Sequence, residues 1–479
     1  MASTPPAPAS ALGSRAVLNT ALVLGARIVS RLIALVVVVA LANHLGPDRY
    51  GRYTTLVAYS ALVSVVADFG LNPLYTREAA RDPGRLPEYL ANLLSGKLLL
   101  AAAAFVLLAI ALSLTGLGDL LLPGGVLLVL TTYSTLLRNT FYALGRLEFE
   151  AIAILAEILI QAGLILAGSR AGAGVGFFVW AYAASFGFTT VYCLVVIPLF
   201  RLGRISFAFD AGLLGTWLRL AFPFALGSFL TNLYFRIDVP ILQHFKPFAE
   251  VGWYQFAYKP FEALQFVPLA VQTVVYPVLA VYFRSAPGLL GLTYARFFKV
   301  LVLLGWPLTV GTFVLVHPVG RLFRLFPESE PSLRILSLAI VFLFANSAFT
   351  AMLYAIDRQD LFAWSTAIAV VVNVGLNLLF IPRYGYLAAS ATTVVTEAAF
   401  AVVGWWFVGR TVALPWLRVA WRILLAGFLM GLVLLPLAGR SILLAAPAGG
   451  VAYVLAIWLL RAVQKEEVGL VLAGLRRRR

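Results

Sequence analysis

Cysteine occurs once and histidine three times in 479 residues. A disulfide framework is therefore excluded, and a metal or redox centre has almost nothing to be built from. The single thiol, Cys193, lies in an apolar run. Charge is scarce too: 12% of residues are Asp, Glu, Lys or Arg, against roughly a quarter in a soluble domain. No phosphate-binding loop is present, since Ser95-Gly96-Lys97 lacks the upstream glycine spacing and falls inside an apolar run. Neither a nucleophile elbow nor a dinucleotide-binding glycine pattern occurs. No outer loop exceeds about 15 residues, too few to fold a catalytic lobe of ordinary domain size. The chain is accordingly expected not to be an enzyme, with no catalytic residue, no metal and no cofactor. A membrane glycosyltransferase or polymerase is the remaining enzymatic alternative. Residues 1–14 carry no charge and lack the basic start of a signal peptide, so they read as a disordered cytoplasmic arm.

What the chain has is apolar length. Hydrophobic residues make up 62% of it, and its mean hydropathy is +0.95. At roughly 20 residues per crossing, Gly, Pro and charge clusters divide it into fourteen spans, an all-α polytopic membrane protein. The first two spans are expected at 17–42 and 53–76, and the eleventh and twelfth at 361–381 and 385–409. Lys and Arg total 36 against 20 acids, a net +16. In a membrane protein that surplus reports topology before nucleic-acid binding, and no nucleic-acid partner is expected. Assigning bases at helix ends to the loops they adjoin, the N-terminal arm, even-numbered loops and C-terminal tail hold 19, and the odd-numbered loops hold 8. Both termini are thus expected in the cytoplasm. The tail, 462–479, with Lys465 and Arg476 to Arg479, should lie on the anionic inner leaflet.

The sequence repeats itself. His44-Leu45-Gly46-Pro47 followed by Gly51-Arg52-Tyr53 recurs as His244-Phe245-Lys246-Pro247 followed by Gly252-Trp253-Tyr254. Tyr142-Ala143-Leu144-Gly145-Arg146-Leu147-Glu148 recurs in the same order as Tyr354-Ala355-Ile356-Asp357-Arg358-Gln359-Asp360. Six spans per repeat is even, so the two copies share one orientation and are expected as lobes related by a pseudo-twofold along the membrane normal. The expected organisation is an N-terminal lobe at 15–200 (spans 1–6), a C-terminal lobe at 201–411 (spans 7–12) and extra spans 13 and 14 at 412–461.

Ionisable side chains at bilayer depth usually face a cavity or a partner. Nine bases (Arg27, Arg31, Lys97, Arg138, Arg219, Arg236, Lys259, Lys299 and Arg334) face five acids (Asp68, Glu157, Asp238, Glu262 and Glu397) within the spans. That surplus favours an anionic substrate over a cation. Arg27 and Arg31, spaced i, i+4, share one face of span 1; they either pair with Asp68 or contact the anion. Arg236 and Asp238 are expected to form an ionic cluster with Lys259 and Glu262. Lys97 and Arg138 are read as isolated side chains that snorkel. Glu397, in the middle of span 12, is the leading ion-coupling candidate, with helix-packing hydrogen bonds as the competing role. Asp68, Asp238 and Glu262 are further ion-coupling candidates, and Gln161, Asn373 and Asn377 are read as helix-packing residues.

The sequence resembles the polysaccharide flippases, the Wzx-like branch of the multidrug/oligosaccharidyl-lipid/polysaccharide exporter superfamily. The resemblance rests on Leu45 to Tyr53, on Asp68-Phe69-Gly70-Leu71, on Leu233 to Asp238, and on Gly252-Trp253-Tyr254 with Ala257-Tyr258-Lys259. It implies two six-helix lobes that open alternately to the two sides of a bacterial inner membrane. It further implies a polyprenyl-diphosphate oligosaccharide, moved from the cytoplasmic to the periplasmic leaflet for O-antigen, capsule or exopolysaccharide synthesis. A proton or sodium gradient would drive the movement. The diphosphate would meet Arg27, Arg31 and Arg236, with Lys259 as a fourth substrate-binding candidate. The expected partners are that substrate and membrane lipids, with the chain working as a monomer alongside polysaccharide-assembly enzymes. A peptidoglycan-precursor flippase or a drug/cation antiporter of the same superfamily is the alternative.

Overall fold

The computed structural model describes residues 9–463, with side chains from Ala21 onward. The rest of the expected arm and tail, including Lys465 and Arg476 to Arg479, lies outside the described residues. Helix begins at Ala9, within the stretch read as an arm. Every regular element among the described residues is helical. Contacts divide the chain into two compact units, Met1–Gly252 and Trp253–Arg479.

The first unit begins with α1 (Ala9–Asp68), α2 (Leu71–Arg81), α3 (Leu86–Leu114) and α4 (Leu121–Ala143). There follow α5 (Leu147–Arg170), α6 (Val175–Leu199), α7 (Ala211–Arg236) and α8 (Asp238–Phe245). A straight α1 of 60 residues would be about 90 Å long, three times the hydrocarbon thickness. It is instead broken at Gly46, whose φ of 71° and ψ of 172° suit only a residue without a Cβ. Pro47 then supplies the preset φ for restarting a helix. Contacts with α4 show that the chain reverses there. Arg27 bonds Tyr142 at the end of α4, Arg52 bonds Asp119 just before its start, and Tyr75 returns to bond Thr140 near the end.

Leu90, Leu94, Phe141, Ile197, Trp217 and Ala221 share one buried core in this unit. Trp217 on α7 lies 4.9 Å from the Tyr89 ring, and Arg77 stacks over Phe224. These contacts draw α7 and α8 into the first unit, whereas the repeat places them at the head of its second copy. The two copies of the repeated turn also touch inside this unit. A Cβ on Gly51 would sit 1.8 Å from the Phe248 carbonyl oxygen, and one on Gly252 would sit 2.1 Å from that of Pro47.

Helix α9 (Phe248–Leu264) crosses the division. The second unit continues with α10 (Phe266–Ser285), α11 (Pro287–Val314), α12 (Val316–Phe323) and α13 (Ser329–Ser337). It ends with α14 (Ala339–Ala355), α15 (Gln359–Gly409), α16 (Trp416–Leu434) and α17 (Ile442–Leu459). Buried Tyr294, Phe298, Phe344 and Phe349 fill the space among α11, α14 and α15. The 51-residue α15 repeats the device seen in α1. Gly385 has φ 60° and ψ −141°, and Asn373 bonds Thr396 at 3.3 Å across the break. Twenty-three residues of straight helix would hold those two about 35 Å apart, so α15 is a hairpin.

Helices α16 and α17 pack on α11. The Trp306 indole donates to the Leu424 carbonyl at 3.0 Å, and the Tyr453 hydroxyl to that of Leu303 at 3.0 Å. Gly427 and Gly431, a small-residue pair at i, i+4, admit the side chains of Trp306 and Val310.

Among the described residues, eleven helices are long and apolar enough to cross a membrane, or twelve if the bent pair α13–α14 is one span. Two of these, α1 and α15, fold back on themselves at Gly46 and Gly385, so the fourteen expected is an approximate count. Apolar side chains such as Leu443, Val451, Val454, Leu455 and Leu459 on α17 remain exposed, as hydrocarbon-facing residues should.

Candidate functional site

In the first unit, the intramembrane charges form two clusters around α4 and α3. Arg138 on α4 meets Glu150 through two bonds, Nε to Oε2 at 2.9 Å and Nη2 to Oε1 at 2.6 Å. Its third nitrogen donates to Glu157 at 3.3 Å. Glu150 and Glu157 are two turns apart on α5 and so share a face. The Thr189 hydroxyl on α6 donates to Glu157 at 2.8 Å. Tyr142 connects this group to α1: it donates to Glu150 at 3.0 Å and accepts from Arg27 at 2.8 Å. Arg138 is therefore fully engaged with carboxylates and does not snorkel.

The second cluster corrects another reading. Lys97 is completely buried, its Nζ 2.7 Å from Asp68 and 2.9 Å from Asn72. Asp68 thus neutralises Lys97, and Lys97 neither stands alone nor reaches for the interface. The pairing of Asp68 with Arg27 or Arg31 is not formed.

With Asp68 committed elsewhere, Arg27 and Arg31 stand out. Both are exposed on one face of α1. Arg27 has only a neutral hydroxyl as partner, leaving most of its five donors available. Arg31 has no hydrogen-bond or ion-pair partner among the described residues. They lie about 28 and 22 Å along the helix from Gly46, within the depth of the hydrocarbon core. A guanidinium facing lipid there costs several kcal/mol, and ionisable side chains at that depth usually face a cavity or a partner. Together they are two planar groups of N–H donors without a carboxylate partner among the described residues.

Two of the four residues expected as one ionic cluster pair with each other. In the second unit Lys259 pairs with Glu262 one turn later on α9, at 2.7 Å. In the first, Asp238 is buried and accepts from the Val239 amide at 2.9 Å. Arg236, half-buried at the end of α7, has no ion-pair or hydrogen-bond partner among the described residues.

Glu397 is buried at 3% exposure. Asn346 on α14 donates to its carboxylate at 2.7 Å and to its backbone carbonyl at 3.1 Å. Asn377 bonds Asn373 at 2.9 Å, and Asn373 bonds Thr396, so both asparagines hold the α15 hairpin closed.

Glu150, Tyr142, Thr189, Asn72 and Asn346 complete these clusters, and none was singled out as a site residue from the sequence. The seven-residue spacing of Glu150 and Glu157 is the signal that places both on one face of α5. Among the described residues no group of three His, Cys, Asp or Glu side chains is arranged to hold a metal.

A family described as polysaccharide biosynthesis protein matches residues 16–283, more than half of the chain. The chain belongs to this family. A search of curated protein sequences finds no significant match. Among solved structures, a lipid II flippase MurJ in an inward closed conformation superposes with a TM-score of 0.76 at 15% identity, over 93% of this chain and 99% of that one. An inward-facing multidrug resistance MATE family transporter of the MOP superfamily gives 0.64 at 17% identity, over 80% and 94%. A MATE transporter from Vibrio cholerae gives 0.54 at 15%, over 84% and 97%. This polysaccharide biosynthesis family member thus has the fold of MOP transporters, and the structures it resembles are transporters rather than enzymes.

Proposed function

We propose that the chain flips a polyprenyl-diphosphate-linked oligosaccharide from the cytoplasmic to the periplasmic leaflet of a bacterial inner membrane, by ion-coupled alternating access. The observation that carries this reading is the pair of exposed arginines on α1, held at membrane depth without a carboxylate partner. A lipid-linked diphosphate is an anion that must cross the membrane, and it suits bidentate guanidinium contacts. The bases of other intramembrane clusters are already neutralised by Glu150, Glu157 and Asp68, which leaves Arg27 and Arg31 as the available cations of α1. Arg236 and Lys259 are secondary contacts. Membership of a polysaccharide biosynthesis family supports a glycan as the cargo. Glu397, buried beside Asn346, is the carboxylate proposed to exchange a proton or sodium ion, with Asp68, Asp238 and Glu262 as further candidates. The working form is a monomer, in company with polysaccharide-assembly enzymes.

The test is native mass spectrometry of the full chain purified from a host that makes lipid-linked oligosaccharide. A bound polyprenyl-diphosphate sugar, lost in Arg27→Ala/Arg31→Ala, is the expected result. Retention of that lipid by the double variant would remove the arginines from the site. A bound peptidoglycan precursor would transfer the cargo to that class, and binding of a cationic drug alone would overturn the anion reading.

A further inference from the structure

Six side chains of the first unit form one line of contacts from α6 to α1: Thr189, Glu157, Arg138, Glu150, Tyr142 and Arg27. Two are acids and two are bases, so the charges balance only when Arg27 is counted. Arg138 alone faces both carboxylates, and Arg27 stands one neutral hydroxyl away from Glu150. None of the four charged residues has an ionic partner outside this line among the described residues. An anion that occupies Arg27 therefore withdraws the second base. Arg138, Glu150 and Glu157 are then left with one surplus negative charge. Within a membrane-spanning bundle such a surplus is costly, and a proton on one carboxylate removes it.

The two acids are not equivalent. Three donors converge on Glu150, whose side chain is 1% exposed: two nitrogens of Arg138 and the Tyr142 hydroxyl. Glu157, about 15 Å along α5 from its start, receives two, and both reach the same oxygen. Arg138 donates to Oε2 at 3.3 Å and Thr189 at 2.8 Å. Its Oε1 accepts no hydrogen bond among the described residues, and the side chain is 19% exposed. Glu157 thus keeps an open oxygen where a proton can arrive, and Glu150 does not. Helix α5 packs against α1, α4 and α6. The ionisable groups that these helices turn toward the two carboxylates are Arg27, Arg138, Tyr142, Tyr192 and Cys193. At neutral pH tyrosine and cysteine are ordinarily uncharged and arginine is always charged, so the change of charge falls to a carboxylate.

We propose that Glu157 is a proton-binding residue linked to the cargo site, taking up a proton when an anionic diphosphate seats on Arg27 and Arg31. This rests on the cargo reading above. The link is electrostatic and runs both ways: the anion makes the proton welcome, and the proton strengthens the anion's hold on Arg27, as reciprocal coupling requires. Lower pH protonates Glu157, so diphosphate affinity rises as pH falls. A proton suits the place better than a metal ion, for which no group of three acidic, His or Cys ligands is arranged among the described residues. The proton here accompanies loading, whereas the driving ion is assigned above to Glu397.

The experiment is isothermal titration calorimetry of the full-length protein in detergent with polyprenyl-diphosphate-linked N-acetylglucosamine. Titrations at matched pH in two buffers of different ionisation enthalpy count the protons taken up, and a pH series locates the largest uptake. Wild type should take up a sizeable fraction of a proton per lipid bound. Glu157→Gln, which fixes the neutral state, should take up none and bind about fivefold or more tightly than wild type at that pH. Glu157→Asp keeps a carboxylate and should retain the uptake, which separates charge from damage to the fold. Wild-type binding without proton uptake at any pH would overturn the inference and leave the cargo reading standing. So would uptake unchanged in Glu157→Gln, or weaker binding by that variant. A wild-type protein that does not bind the lipid would overturn the cargo reading, and this inference with it.

Discussion

Lys97 has no exposed side-chain surface, and its ammonium rests on one carboxylate and one amide oxygen. A buried pair of this kind is costly to break because the surviving charge is left without compensation. Asp68→Asn should therefore lower stability by about 3–5 kcal/mol, read as a large fall in Tm in detergent. Replacing both partners, as Asp68→Leu/Lys97→Met, should recover much of that loss, since two apolar side chains leave no charge behind. Tyr142 acts differently: its hydroxyl aims Arg27 while binding Glu150. Tyr142→Phe should leave insertion and folding intact and weaken binding of the diphosphate-linked cargo by about tenfold, the worth of one hydrogen bond to a charged group. Unchanged affinity in that variant would mean that Arg27 needs no orientation.

Which of these partners could be read in advance follows from what sequence encodes. Depth in the membrane and shared helical faces come from spacing along one helix, so the exposure of Arg27 and Arg31 together was legible. Pairing between helices depends on how each is rotated about its axis and on which neighbours it meets. Asp68 chooses Lys97 on α3, 29 residues along the chain, and not Arg31 on α1, and no periodicity within one helix says which neighbour it will meet. Arg138 looked isolated because its main partner, Glu150, sits in the first turn of α5, a position that a hydropathy boundary assigns to the loop.

At the level of single elements, the two hairpins α1 and α15 turn on one glycine each. Gly46 and Gly385 both hold positive φ with extended ψ, a region open essentially to glycine. Gly385→Ala should cost about 1–3 kcal/mol and loosen the Asn373–Thr396 contact, detectable as faster hydrogen exchange on both arms. Both turns were legible, since glycine and proline interrupt the apolar run at Gly46-Pro47 and near Pro382 and Gly385. The place of α7 was not: nothing in its own pattern says that Trp217 will lie against Tyr89. Helices α16 and α17 depend on a closer fit. Gly427→Leu would drive a side chain into the Trp306 indole, already 2.2 Å from where a Cβ would start. The expected outcome is detachment of this pair from α11, seen as new protease sensitivity at 410–416 with the remainder of the chain still protected.

For the whole molecule, an even count of fourteen crossings would put both termini on one side. With Cys193 buried and replaced by Ala, single cysteines at Arg204 and Arg410 should react with an impermeant maleimide only from the cytoplasmic face. Cysteines at Arg49 and Arg440 should react only from outside. Any one of the four labelling from the opposite side would change the crossing count between it and its neighbour. The balance of basic residues that sets this expectation is a property of the loops alone, so the expected orientation does not depend on how the helices pack.

The Arg138–Glu150 pair also bears on how the protein is made. The two residues lie on consecutive helices separated by the short turn 144–146, so they emerge from the ribosome within moments of each other. A lone arginine leaving the translocon into lipid costs about 3 kcal/mol, whereas the α4–α5 hairpin can partition as a unit with its bidentate ion pair already closed. Lys97 has its counter-charge even earlier, since Asp68 is synthesised first. Arg27 meets only the neutral hydroxyl of Tyr142, three crossings later. The order of synthesis thus gives Arg138 and Lys97 their counter-charges early and gives the α1 arginines none.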